Sequence, residues 1–375
     1  ELLACGHPIT QFGPVSMPMT KAEVVATLAS PLNAFKIINT TETVGSFTED
    51  RASAILGRFG VPARMIPVSV DVVPAGDDGR TGVTAKRVSE QLGPKLPLPK
   101  TGGLPETKGG MHFEVLDNRQ LTPAAMLVSV YQSLSGTNSA SAETSYRMSG
   151  ELTLKGLPPV KLEGMMAPTA LGTGAISAAT YVNERFARLY DNAVEQPVVT
   201  GLRLRMEAIP ERLTAVLEGA RLGQTEVHAG QMLDVEATLN PYDAPERVER
   251  LRVKLPDTLT PGPLRIVVGD GAMMDRLTQP SAAMEREPEA LADEVAELNR
   301  SHANDRVYVA LLEHSAQAEL TTQDLPQIPL SMANVLEPLK EAQKMRLSGE
   351  SAVEVGSMGT GYAVTGSQVL TVDVQ

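Results

Sequence analysis

Apolar and polar positions alternate most clearly in the middle of this chain. Leu202, Leu204, Met206 and Ala208 are interleaved with Arg203, Arg205 and Glu207, and Leu233, Val235, Ala237 and Leu239 with Asp234, Glu236 and Thr238. A period of two places successive side chains on opposite faces of a strand. Val248, Leu251, Val253 and Leu255 form a third run and Leu264–Val268 a fourth, separated by the turn formers "NPYDAPE" and "PDTLTPGP". Short alternating strands at this spacing predict an immunoglobulin-like β-sandwich over 196–272, without the Cys…Trp…Cys hallmark of antibody domains.

The flanking pattern is mixed. Over 1–73, Thr20-Lys21-Ala22-Glu23 has the form of a capping box, which predicts a helix from Thr20 to about Ala29, stopped by Pro31. Ala34–Asn39, Thr43–Thr48 and Met65–Val73 are rich in β-branched residues and predict strands. Pro, Gly, Lys and Asp crowd 74–110, which predicts a loop or linker with one short strand near Val83–Val88. Over 111–195 the pattern predicts a strand at Met111–Leu116 and a helix from Thr122-Pro123 to about Leu134. A hairpin follows ("YRMSGELTLKG" with "PPVKLEGMM"), then a helix over Tyr181–Ala193 with Val182, Phe186, Leu189 and Tyr190 on one face. Over 281–375 it predicts helices at Pro288–Asn299 and Met332–Met345, a strand at Arg306–Leu312 and two final strands, the last at Val369–Val374. The class is therefore α+β and β-rich: a mixed α/β part, a sandwich, and a small α+β C-terminal segment.

Composition narrows the function classes. The chain of 375 residues carries a net charge of −12, which disfavours nucleic acid and anionic membranes as partners. Aromatics make up 3% and Trp is absent, so platforms for stacking bases are not expected. No apolar run reaches the roughly 18 residues of a membrane-spanning helix. The single cysteine, Cys5, forms no internal disulfide. No cofactor is expected, and no metal: the five histidines lack metal-ligand spacing, and Cys5-Gly6-His7 offers two ligands with no evident third.

The candidate chemistry lies near the start. In Gly6-His7-Pro8, glycine permits a sharp turn and proline fixes the next φ, so His7 sits on a turn at a strand end, where an imidazole serves proton transfer or is simply a surface residue. Asp50, at the end of a predicted strand, is a candidate to orient that imidazole; it equally suits pairing with Arg51 or capping the next element. A nucleophile is missing, because neither G-D-S-G nor G-x-S-x-G occurs. Ser135 reads as a helix C-cap and Ser149 as an ordinary strand residue. "LPKTG" at 98–102 matches a wall-anchoring signal but lies far from the C-terminus. "GTGA" (172–175) and "GSMGTG" (356–361) lack the following Gly-Lys-Ser/Thr of a phosphate loop and are read as lying outside a strand–loop–helix setting.

Gly6-His7-Pro8, Met17-Pro18-Met19-Thr20, Ala34-Phe35-Lys36-Ile37, Gly45-Ser46-Phe47-Thr48-Glu49-Asp50-Arg51 and Ile66-Pro67-Val68 together resemble the SpoIVB-type serine peptidase domain of large exported bacterial proteins. The resemblance is specific over about residues 2–70 and looser beyond. It implies that 1–73 is the histidine-bearing part of a peptidase-like domain, that His7 is the general base and Asp50 its orienting acid, and that the partner is a peptide or protein substrate. It also implies an extracytoplasmic location and a further envelope protein as a partner. The family's nucleophile lies in a G-M-S-G-S-P-like segment, which these residues do not contain. The expectation is then the C-terminal part of a longer peptidase whose serine lies outside this chain. The alternative is a non-catalytic envelope scaffold or protein-binding module that keeps the fold.

Overall fold

The computed structural model describes residues 1–5, 9–10, 13–28, 35–75, 110–137, 142–278, 290–313, 316–319, 324–328, 330–336, 346–348 and 351–375. His7, His314, the strand expected at 83–88, the pentapeptide 98–102 and the C-terminal half of the helix expected at 332–345 lie outside the described residues. The fold is α+β and β-rich.

The first sheet has the order β1-β4-β3-β2 and is antiparallel, built from β1 (Leu2–Ala4), β2 (Gly13–Leu28), β3 (Phe35–Asp50) and β4 (Ile55–Phe59). The helix expected from Thr20 is part of β2, and the two strands expected over 34–48 form the single strand β3. The capping-box signal loses to cross-strand pairing. Val24 lies opposite Ile38 and Ala26 opposite Ile37, contacts that suit β-branched side chains on a pleated surface and that an isolated short helix could not supply.

The second sheet, β6-β5-β9-β7-β8, comprises β5 (Met65–Pro74), β6 (Met111–Leu116), β7 (Ser145–Leu154), β8 (Val160–Met166) and β9 (Val199–Ile209). Helices α1 (Thr122–Thr137) and α2 (Gly174–Tyr190) join its strands, and all share one core. As expected, Val182, Phe186, Leu189 and Tyr190 form the buried stripe of α2. Its start requires glycine: a Cβ on Gly174 would lie 2.4 Å from the Thr144 carbonyl oxygen and 2.7 Å from that of Met166. The "GTGA" segment therefore does lie between a strand and a helix, contrary to the sequence reading, and its glycine serves close packing. Thr122 opens α1 but is not its cap. Asn118 Oδ1 accepts from the amides of Gln120 and Leu121, while Thr122 Oγ1 donates to the Leu116 carbonyl.

The sandwich is assembled differently from the expectation. The first of its four predicted runs is β9, which joins the second sheet, parallel to β5. One face of the sandwich is the sheet β13-β12-β10-β20, from β10 (Thr214–Leu222), β12 (Met232–Pro241), β13 (Arg247–Lys254) and β20 (Ala363–Thr365). The other is β11-β21-β14-β15-β19, from β11 (Glu226–Val227), β14 (Gly262–Gly269), β15 (Arg306–Glu313), β19 (Ser351–Gly359) and β21 (Ser367–Val374). Leu217, Leu233, Val235 and Leu239 of the first meet Ile266, Val268, Val309 and Val372 of the second in one core. The C-terminal segment thus completes the sandwich.

Strands β14 and β15 are buried on both sides. Helix α3 (Gly271–Thr278) covers their outer face with Met274 against Tyr308 and Ala310, which accounts for the unbroken apolar run near 307–312. Asp270 starts α3: its Oδ1 accepts from the Met273 amide and its Oδ2 from the Gly366 amide, both at 2.7 Å. Helix α4 (Leu291–Arg300) packs through Leu291, Val295 and Leu298 into the core of the second sheet. A small sheet of β16 (Ala316–Glu319), β17 (Asp324–Ile328) and β18 (Arg346–Ser348), and helix α5 (Leu330–Leu336), complete the described elements.

Tyr308 is 4% exposed and donates to the Ala303 carbonyl. Burial above all pushes its hydroxyl up to about 12 from an ordinary 10.0, against the opposing charge of Arg306. A raised pKa adds stability that is whole below pH 10 and is lost as pH rises toward 12, because the unfolded chain releases the proton first. Urea midpoints measured across that interval should fall. Tyr308→Phe should flatten part of the fall, and an unchanged slope in that variant would show that Tyr308 does not carry it.

Candidate functional site

Asp50 ends β3 and is 1% exposed. A carboxylate so buried must be hydrogen-bonded. Its Oδ2 accepts from the amide of Ile9 at 3.0 Å, from the amide of Thr10 at 2.5 Å and from Thr10 Oγ1 at 3.0 Å. These donors follow Gly6-His7-Pro8 directly in sequence. Asp50 therefore pins Ile9 and Thr10, a role that sequence reasoning did not consider. Arg51, the expected partner in the alternative reading, pairs through Nε with Glu49 Oε2 at 2.7 Å.

Thr10 leads into a cleft of about 620 Å³ between the first and second sheets. Pro14, Val15 and Ser16 of β2 line one side. Asp117, Asn118, Arg119 and Gln120 of the β6–α1 loop, Tyr190 and the 196–198 segment line the other, with Arg64 between them. Ser16 Oγ accepts from the Arg64 amide at 2.8 Å, which ties the two sheets together beside the cleft. In the wall, Tyr190 donates its hydroxyl to Asp117 Oδ1 at 2.6 Å, and Arg64 Nε lies 3.7 Å from Asp117 Oδ2. Burial first, and then the bond to Asp117, hold the Tyr190 hydroxyl well above the ordinary tyrosine range, so it remains a donor. The arrangement offers guanidinium, amide and hydroxyl groups to a polar chain laid in the cleft. Sequence reasoning placed Tyr190 on a core face and passed over Asp117. The legible signal was an Asp-Asn pair between an apolar strand and a helix start.

Neither candidate serine lies in the cleft wall. Ser135 lies in the last turn of α1, and Ser149 is an exposed β7 residue between Glu163 and Arg205 on the neighbouring strands. The remaining constellation is His302. Its Nδ1 is 2.7 Å from Asp275 Oδ1 and its Nε2 3.1 Å from Glu354 Oε2, with the ring edge-on to Tyr308. Both ring nitrogens are engaged, and the group ties α3 to β19. Among the described residues, no set of three or more His, Cys, Asp or Glu side chains is placed to hold a metal. Nor is any helix among them long and apolar enough to cross a membrane. Compared with family models, curated proteins and solved structures, the chain matches none.

Proposed function

We propose that this chain carries the histidine half of a Ser/His peptidase of SpoIVB type. His7 is the general base toward a serine outside these 375 residues, and a peptide or protein substrate lies along the cleft beyond Thr10. The observation that carries the reading is the Asp50 anchor. A buried carboxylate holds Ile9 and Thr10, the two described residues that follow Gly-His-Pro in sequence, and proton transfer depends on a base whose chain is held in place. Asp50 is then a positioning residue for the turn. The extracytoplasmic location and the envelope partner rest on the resemblance of residues 2–70. A non-catalytic binding module is the second reading, favoured by the apolar surface of the β2–β3 ribbon.

A fluorophosphonate probe tests the first reading. The 375-residue chain should not label. The product of the extended reading frame should label at one serine in a G-x-S-G-S-P-like segment. Stoichiometric labelling of this chain at Ser135 or Ser149 would sink the idea of an external serine, and an extended protein that never labels would favour the binding module.

A further inference from the structure

The β2–β3 ribbon extends beyond its sheet. Strand β4 pairs with β3 over Gly45–Asp50, and its last hydrogen bond reaches Val44. From there outward, among the described residues, β2 and β3 pair only with each other. Two-stranded ribbons are marginal alone, and their open edges invite another strand. This ribbon is also apolar on both faces. Val24 and Ile38 share one face; Ala26, Ile37 and Leu28 share the other. Val24 is 56% exposed, Val25 67% and Ile38 51%. A strand apolar on both faces belongs in the middle of a covered sheet, not at its rim.

The occupant can be argued from charge and hydrogen bonding. Hydrocarbon cannot satisfy the open N–H and C=O groups of a ribbon edge, so a lipid surface does not suit it. A strand does. Residues 20–28 and 35–43 carry Lys21, Glu23, Lys36 and Glu42, net zero in a chain of net charge −12. The ribbon is a region where two copies can meet without adding to their mutual repulsion. The free edge of β3 is moreover self-complementary. With a two-fold axis at Asn39, regular antiparallel pairing sets Lys36 of each copy opposite Glu42 of the other, Ile37 opposite Thr41 and Ile38 opposite Thr40, a register that requires the bulge β3 carries between Thr40 and Thr43 to straighten. We propose that the ribbon is a self-association site, in which two copies pair their β3 edges about Asn39 into a continuous four-stranded antiparallel sheet.

Sedimentation velocity on the 375-residue chain over a range of concentrations should show a monomer–dimer equilibrium. Lys36→Glu and Glu42→Lys each put like charges opposite one another twice per dimer, and each should weaken association about tenfold or more. An equimolar mixture of the two variants restores both Lys–Glu contacts and should dimerise like the parent chain. Because Glu42 also pairs with Lys21 of its own ribbon at 2.8 Å, a second measurement is independent of these charges. In a Cys5→Ser background, Asn39→Cys should form a disulfide-linked dimer under mild oxidation. A parent chain that stays monomeric, single variants that dimerise unchanged, a mixture of folded variants that fails to recover, or an Asn39→Cys chain that does not cross-link would each overturn the proposal. Flotation of a monomeric chain with phosphatidylcholine vesicles would assign the apolar ribbon to lipid instead.

Discussion

His7→Ala, made in the extended protein, should lower peptide turnover by about 10⁶-fold, because a general base and its nucleophile act as a unit and losing one costs nearly what losing both costs. The melting temperature should move by no more than a few degrees if His7 serves chemistry and not packing. Asp50 separates positioning from chemistry. Asp50→Ala leaves the amides of Ile9 and Thr10 without the oxygen that now accepts from both, so it should cost about 1–3 kcal/mol of stability as well as activity. Asp50→Asn keeps one carbonyl oxygen in place of that acceptor. It should recover most of the stability and, if the carboxylate charge also steadies the imidazole, lose turnover by up to about 10⁴-fold. Turnover that survives His7→Ala would make Gly-His-Pro a structural turn and end the peptidase reading.

Phe186→Ala should be the most damaging single truncation in the second sheet's core. Phe186 is fully buried on α2 and its ring stacks against Tyr190 at 6.3 Å between centroids. Removing a buried phenyl ring costs about 3–5 kcal/mol, the lost transfer energy plus the cavity left behind. Tyr190 also holds Asp117 in the cleft wall, so the loss should reach the cleft as well. The sandwich has its own core, so an equivalent truncation there, Ile266→Ala, should act on a different cooperative unit. Calorimetry distinguishes the cases. If the chain unfolds in two transitions, Phe186→Ala should lower one and Ile266→Ala the other. If both variants lower the same transition equally, the two cores melt as one. Val216→Ala, at an exposed position of β10, should change stability by less than about 0.5 kcal/mol.

The local elements were legible wherever a single face decides the outcome. The 3.6-residue stripe of Val182, Phe186, Leu189 and Tyr190, the hairpin of β7 and β8 and the strand at Met65 were all read correctly. The failures have long-range causes. Thr20 to Glu23 imitates a helix start, but Ile37 and Ile38 across the ribbon outweigh that local signal. The alternation in β9 identifies a strand without saying which sheet it joins, and its partners β5 and β7 lie far away in sequence. Strand β10 has only Ala215 and Leu217 facing inward before Gly219 interrupts the register, so its period of two is too short to detect. Of the two candidates singled out from sequence, Asp50 is buried against Ile9 and Thr10, and His7 lies outside the described residues. The hold of Asp50 on Ile9 and Thr10, the Tyr190–Asp117 bond and the clamp on His302 depend on residues brought together only by the tertiary fold.

The way the sandwich closes has a consequence for how the protein is made. Strand β14 is zipped on one side by β15 and on the other by β21, while β20 completes the opposite sheet beside β10. The ribosome therefore delivers β10, β12, β13 and β14 long before the strands that cover them. At about 5–20 residues per second, the apolar edge of Leu264–Val268 stays open for several seconds of synthesis. During that time the nascent chain carries the surface that recruits chaperones or seeds misassembly, and removal of Ser367–Val374 after synthesis would reopen it.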